Sequence, residues 1–208
     1  MNLQKTTALL VLAILVIAGA ALIAIGNIDR SITATRLATV LPQPMPLPDF
    51  RLIDQDGQAF DRESLRGHPS LLFFGFTHCP DICPATLQQL AVARGKLAGQ
   101  QGRMRTLPDI ILISVDPERD SAEILKAYTG HFGEGVIGLG GDPVELKKLA
   151  SALGIFYARE ESPGADYTIS HSTAVLLVNA DAELQALFNA PLDVDALVAD
   201  LNLLTEGG

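Results

Sequence analysis

The sequence predicts an α/β fold, a mixed sheet with helices on both faces, preceded by one amino-terminal transmembrane helix. Three observations carry that expectation. Apolar runs of strand length at Ser70–Phe76 and Asp109–Val115 alternate with helical segments, the order in which strands pair in parallel. Two more strands and a last helix follow, which adds antiparallel edges. Finally, no charged residue occurs from Thr6 to Ile28. As a helix that run spans roughly 35 Å at about 1.5 Å per residue, against a hydrocarbon core of roughly 30 Å. Composition sets the outer bounds. With 208 residues, 48% hydrophobic and 19% charged, the chain is neither disordered nor collagen-like. Fifteen Lys and Arg against 24 Asp and Glu give a net charge of −9, so no nucleic-acid partner is expected. Two cysteines are too few for a disulfide-rich scaffold or a four-thiolate zinc site.

The elements follow in order. Residues 1–28 are expected to be a membrane anchor. Ala18-Gly19-Ala20 resembles a processing site, but the apolar run continues through Leu22, Ile23 and Ile25, which favours an uncleaved anchor over a cleaved signal. Lys5 precedes the span and Asp29, Arg30 and Arg36 follow it; export of the large following domain is the usual outcome, although the charge bias alone does not decide it. Residues 29–48 read as a Pro-rich tether, with Pro42, Pro44, Pro46 and Pro48 alternating with other residues in an extended spacer. Every strand and cap signal lies beyond residue 48, so anchor and tether are expected to be dispensable for folding of a domain over 49–208. Within it, Phe50 to Phe60 with Asp56-Gly57 at the middle predicts a hairpin. Ser70–Phe76 is a central buried strand, and Pro84 opens a helix to about Leu97. Asp109–Val115 is a second buried strand. Asp120 and Glu123 have capping-box spacing for a helix through about Phe132, and Asp142, Pro143 and Glu145 repeat the signal for a helix ending at Gly154. Thr173–Val178 and Leu184–Phe188 form a second hairpin about Asn179–Glu183, and a final helix runs from about Val194 to Leu204.

Strand–helix–strand–helix closed by a hairpin and a helix is the thioredoxin-type layout. In it, chemistry gathers outside the carboxyl end of the first central strand, here Phe76-Thr77-His78-Cys79. Cys79 and Cys83 sit there one helical turn apart, so their sulfurs can face one side. The adjoining helix terminus is expected to lower thiol pKa and populate thiolate. Three readings stand: a structural disulfide, a dithiol–disulfide catalyst, or a soft-metal site with a further ligand. The loop is too short to restrain an unfolded chain much, against the first; redox pairs on this fold usually have a two-residue gap, against the second. For a third ligand there are four histidines. His68 and His131 read as surface, and His78 points away from its neighbour Cys79 on an extended segment. His171, just before Thr173–Val178, falls in a loop that lies against the cysteine turn in this layout, which makes it the candidate ligand.

Gly75 to Pro84 (GFTHCPDICP) resembles the signature of the Sco/SenC copper proteins. Ser114 to Asp120 (SVDPERD) and Tyr167 to His171 with the following strand resemble two further blocks of that family. The likeness extends over about 46–204. It implies a membrane-tethered thioredoxin-like domain that binds a copper ion, Cu(I) or Cu(II), through Cys79, Cys83 and His171. It also implies help in assembling the binuclear copper centre of cytochrome c oxidase. The partners would be the oxidase's copper-bearing subunit, a copper donor and a thiol reductant. The setting would be a bacterial cytoplasmic membrane, spanned once, with the domain on the periplasmic side. Two departures from the family pattern stand out: Ser170 where an acidic residue often precedes the histidine, a weaker partner for the ring, and Ala182 where the last turn usually has glycine. Two thiolates and an imidazole suit Cu(I), and Cu(II) can use them with a further weak ligand; zinc is chemically possible too. The alternative function is a thiol–disulfide reductase using Cys79 and Cys83 on the recipient's cysteines. A hybrid is consistent with both, since an oxidising exterior would close the pair and stop metal binding until it was reduced.

Overall fold

The computed structural model describes residues 12–19, 35–100, 106–161 and 167–205. The chain divides into two units, Met1–Thr35 and Arg36–Gly208. In the first, 12–19 is a helix (α1) whose apolar side chains, among them Leu12, Ile14, Leu15, Val16 and Ile17, are exposed. The remainder of the predicted span over Thr6–Ile28 lies outside the described residues. No helix among the described residues is long and apolar enough to cross a membrane.

In chain order the second unit holds β1 (Ala38–Pro46), β2 (Arg51–Asp54), β3 (Ala59–Asp61), β4 (Ser70–Gly75), α2 (Ile82–Gly99), β5 (Asp109–Ser114), α3 (Ala122–Thr129), β6 (Val136–Gly140) and α4 (Pro143–Ala152). It continues with β7 (Tyr157–Glu160), β8 (Thr168–His171), β9 (Val175–Val178), β10 (Glu183–Phe188) and α5 (Val194–Leu204). Eight strands make one mixed sheet in the order β1-β10-β9-β4-β5-β6-β2-β3; β7 and β8 form a separate antiparallel pair. β4, β5 and β6 run parallel, and the remaining neighbours in the sheet are antiparallel. The three central strands β4, β5 and β9 are almost wholly buried, which is why they read as continuous apolar runs. β10, by contrast, alternates half-buried and buried residues.

Capping chemistry sets the helix starts. Asp142 and Asp193 accept from Val144 N and Ala196 N at the heads of α4 and α5. At α3 the expected cap is corrected: Ser121, not Asp120, accepts from Ile124 N, and Asp120 is buried beside the site described below. The capping-box spacing to Glu123 points to Asp120, but its carboxylate is taken by Thr77 and Ser114, which leaves Ser121 to cap the helix. α2 begins at Ile82, two residues ahead of Pro84, so Cys83 lies inside its first turn. β6, absent from the sequence reading, contains Gly138 and Gly140. A Cβ on Gly138 would lie 2.9 Å from the Leu125 Cβ, so the glycine that obscures the strand pattern is what lets α3 pack close.

The largest correction concerns the tether. Residues 38–46 form edge strand β1, with Ala38 opposite Phe188 and Pro46 opposite Glu183. The register shifts between Val40 and Met45, where Pro42 and Pro44 interrupt the ladder. An edge strand is where a sheet tolerates proline, because one side of the ladder needs no donors. The start of β1 is also anchored: the Asp200 carboxylate of α5, fully buried, accepts from Arg36 N (2.7 Å), Leu37 N (2.7 Å) and Ala38 N (2.8 Å). In the β9–β10 turn Ala182 takes φ 60°, the left-handed conformation that glycine adopts without strain.

Candidate metal centre

β4 ends at Gly75, and the chain leaves the sheet through Phe76-Thr77-His78 before α2 begins. Its course is pinned by Asp120. One carboxylate oxygen accepts from Thr77 N (3.0 Å) and Ser114 Oγ (2.6 Å); the other accepts from Thr77 Oγ1 (2.6 Å). A buried carboxylate with three donors is well satisfied, and it holds the turn that presents Cys79 to the side of α2. Gly75 supplies space: a Cβ there would stand 3.0 Å from the Cys83 sulfur.

Both thiols are free, Cys83 with no exposure and Cys79 with 8%. Cys83 N donates to Cys79 Sγ at 3.4 Å, so the helix start does face its amides toward the first sulfur. For Cys83 the expected lowering of pKa is corrected: burial pushes this thiol well up, the hydrogen bond with Cys79 adds to the rise, and the Phe76 backbone opposes it. Removing a thiolate from water outweighs the partial charge of the helix terminus.

His171 arrives from the other side as the last residue of β8, opposite Tyr157, and not from a loop as the sequence reading expects. Its Nε2 lies 3.4 Å from Cys83 Sγ. Its Nδ1 lies 2.9 Å from the Ser172 carbonyl, an atom that can only accept; Nδ1 therefore carries the proton and Nε2 turns its lone pair to the sulfurs. This carbonyl does the work that the expectation assigned to residue 170. Ser170 instead donates to Glu160 across the β7–β8 pair. Phe73 and Phe76 meet the imidazole edge-on, each with centroids 5.9 Å away, and fix the ring plane.

The two sulfurs and the imidazole nitrogen all lie within 4.8 Å of one another, a spacing that metal–ligand bonds of roughly 2.0–2.3 Å bridge with small adjustment. The other histidines stand apart from the cluster. His68 pairs with Asp109, His131 faces the Tyr128 carbonyl, and His78 approaches Thr77 Oγ1 and Asp120. Phe76, Cys79, Pro80, Asp81, Ile82 and 168–171 line an open cleft over the site; Cys83 lies behind it. An incoming group therefore meets Cys79 and His171 first. Asp120 and Thr77, which brace the cysteine turn, are the residues the sequence reading missed. Each lies inside its own sequence block, 43 residues apart, and no spacing rule joins them.

The family model described as SCO1/SenC matches residues 42–206. A protein of Stutzerimonas stutzeri, provisionally named a copper-binding protein, is 39% identical over 158 residues, 76% of this chain and 76% of that protein. Two solved structures are similar over most of the domain. Arabidopsis thaliana ScoI with copper bound has a TM-score of 0.69 at 34% identity, covering 74% of this chain and 97% of that one. Bradyrhizobium japonicum ScoI with copper bound has a TM-score of 0.65 at 34% identity, covering 76% and 99%.

Proposed function

This chain belongs to the SCO1/SenC family, and from that premise we propose that it is a membrane-anchored copper metallochaperone that holds copper through Cys79, Cys83 and His171 and assists assembly of the binuclear copper centre of cytochrome c oxidase. The observation that carries the reading is the convergence of two sulfurs and the unprotonated nitrogen of one imidazole within 4.8 Å, beside an open cleft. Thiolate and imidazole donors favour Cu(I) and accept Cu(II). With both sulfurs ionised, Cu(I) leaves the three-ligand site at −1 and Cu(II) leaves it neutral, so neither state strands a large charge. The cleft gives a recipient's donor a path to the ion, as transfer by ligand exchange requires. The apolar segment 6–28 serves as a single-pass anchor in the bacterial cytoplasmic membrane, the domain facing the periplasm, where a copper donor and a thiol reductant would load and reset it. The compact unit that holds the site starts at Arg36.

A second reading, thiol–disulfide reduction of the recipient's cysteines, is favoured by one feature. Cys79 lines the cleft and Cys83 is buried behind it, the asymmetry of an attacking and a resolving thiol. One experiment separates the two. Copper titrated into reduced and oxidised protein in parallel should bind one ion per reduced chain and lose its tight site in the oxidised chain, because a disulfide sulfur is no thiolate ligand. Equal stoichiometry and affinity in both states would remove the two-thiolate site. No copper binding to the reduced protein would leave the reductase.

The raised pKa of Cys83 adds a pH dependence. Below that pKa the thiol is protonated in the copper-free protein, so copper must displace its proton and affinity must rise with pH. Each proton released makes the dissociation constant about tenfold weaker per pH unit of acidification. Affinity measured by competition at pH 6 should thus be at least about tenfold below that at pH 7, with acid released into weakly buffered solution on loading. A pH-independent affinity would mean that Cys83 does not ligate.

A further inference from the structure

Tyr167 stands four residues before His171, at the head of β8, and its ring is gripped by two cations. The guanidinium carbons of Arg119 and Arg159 lie 3.7 and 3.6 Å from the ring centroid. Two guanidiniums that close over one ring must occupy opposite faces. Each is tied in turn to the loop after β5. Arg119 Nε donates to Asp116 (2.5 Å), whose side chain is 2% exposed, and Arg119 Nη1 donates to the Tyr167 carbonyl (3.1 Å). Arg159 Nη1 donates to Glu118 (3.0 Å), and the Tyr167 hydroxyl donates to the second Asp116 oxygen (2.7 Å). The Nη2 of Arg119 is buried without a hydrogen-bond partner among the described residues, so the aromatic face is its remaining stabilisation.

Among the described residues β7 and β8 pair only with each other, and a two-stranded ribbon has little intrinsic stability. Arg159 is on β7 and Tyr167 immediately precedes β8, so the stack fastens the ribbon to residues 116–119. Resting on the copper reading above, we propose that Tyr167, clamped between Arg119 and Arg159, is a positioning residue that sets the reach of the His171 imidazole to copper. The block over 114–120 thereby acquires a role: it holds the histidine-bearing ribbon in register with the cysteine turn. Asp120 of the same loop braces that turn, so one loop sets both halves of the site.

The test uses full-length reduced protein in detergent, loaded separately with Cu(II) and Cu(I), comparing wild type, Tyr167→Leu, Tyr167→Phe, Arg159→Met and His171→Ala. Tyr167→Leu removes the π faces, and should weaken Cu(II) at least tenfold while Cu(I) affinity, carried by the thiolates, changes less than threefold. Its Cu(II) spectrum should lose imidazole-nitrogen coupling and approach that of His171→Ala. Tyr167→Phe keeps both faces and should restore the coupling and most of the affinity. Arg159→Met alters an exposed side chain, so it folds even if Tyr167→Leu does not, and should cost Cu(II) affinity severalfold. If His171→Ala loses Cu(II) while Tyr167→Leu, or failing that Arg159→Met, binds with wild-type affinity and coupling, the clamp has no positioning role. If Cu(I) and Cu(II) weaken equally, its role is only structural and the proposal is equally overturned. If His171→Ala itself matches wild type, it is the copper reading that fails.

Discussion

A chain over 30–208 is expected to melt cooperatively close to the temperature of the intact protein, and a chain over 49–208 about 10 °C or more below it. The difference is β1. Without it, Asp200 keeps its place in the centre of α5 but loses the amides of Arg36, Leu37 and Ala38, its three backbone donors. Each hydrogen bond lost from a charged group costs about 1.5–3 kcal/mol. For a domain of this size each kcal/mol lowers the melting temperature by roughly 2–4 °C. Two further losses add to this: β10 gains an open edge, and Leu47, 1% exposed, leaves the core. Asp200→Ala in the intact chain isolates the carboxylate, because it removes charge and acceptor together; it should release the start of β1, lower the melting temperature by less than the deletion does, and expose the amides of 36–38 to hydrogen exchange. Equal melts for the two truncated chains would show that 36–48 merely rests on the sheet.

That strand also marks where sequence patterns stop being informative. β4, β5 and β9 are legible because a strand covered on both faces must be apolar at nearly every position, as Ser70–Gly75 is. β1 is hidden because prolines read equally as a free extended spacer and as an edge strand; what separates the two is Asp200, 162 residues away. β6 is hidden because Gly138 serves the approach of α3 at the expense of strand propensity. The β7–β8 ribbon carries Arg159, Glu160, Thr168 and Ser170 and buries only Ile169 fully, so no hydrophobic period reveals it. What ties it to the rest of the domain is tertiary: Ile169 in the core and the Arg–Tyr167 stack.

The candidate site divides along the same line. Cys79 and Cys83 are legible as a pair because one turn of helix brings them together locally. His171 is legible only through the layout: once the chain is read as thioredoxin-like, the entry to β9 must lie against the cysteine turn. Charge and proton placement are not legible at all. The helix terminus suggests a thiolate at Cys83, but the thiol has no exposure and lies close under Gly75, and burial reverses the sign. Likewise the Ser170 departure loses its force once the Ser172 carbonyl is seen to hold Nδ1.

His171→Ala should separate the two oxidation states of copper. On the proposed reading the imidazole would supply one of three donors; the Ser172 carbonyl takes the Nδ1 hydrogen, which leaves Nε2 as the nitrogen facing the sulfurs. Cu(I) is satisfied by two thiolates in low coordination and should keep most of its affinity. Cu(II) prefers more donors and a harder nitrogen. Its affinity should fall about a hundredfold or more, equivalent to roughly 2.8 kcal/mol. The fold should survive, because the ring is half-buried and what it forfeits is edge contact with Phe73 and Phe76, worth about 0.5–1.5 kcal/mol for each aromatic pair. Dithiol chemistry should survive as well, since Cys79 keeps the Cys83 amide and the cleft, and Cys83 keeps its burial. In cells such a protein would reduce a test disulfide yet fail to support oxidase assembly, if copper delivery rather than thiol reduction is the limiting service. Retention of both copper species at wild-type affinity, together with normal assembly, would exclude the imidazole as a ligand and leave the two cysteines, acting as a redox pair, to account for the function.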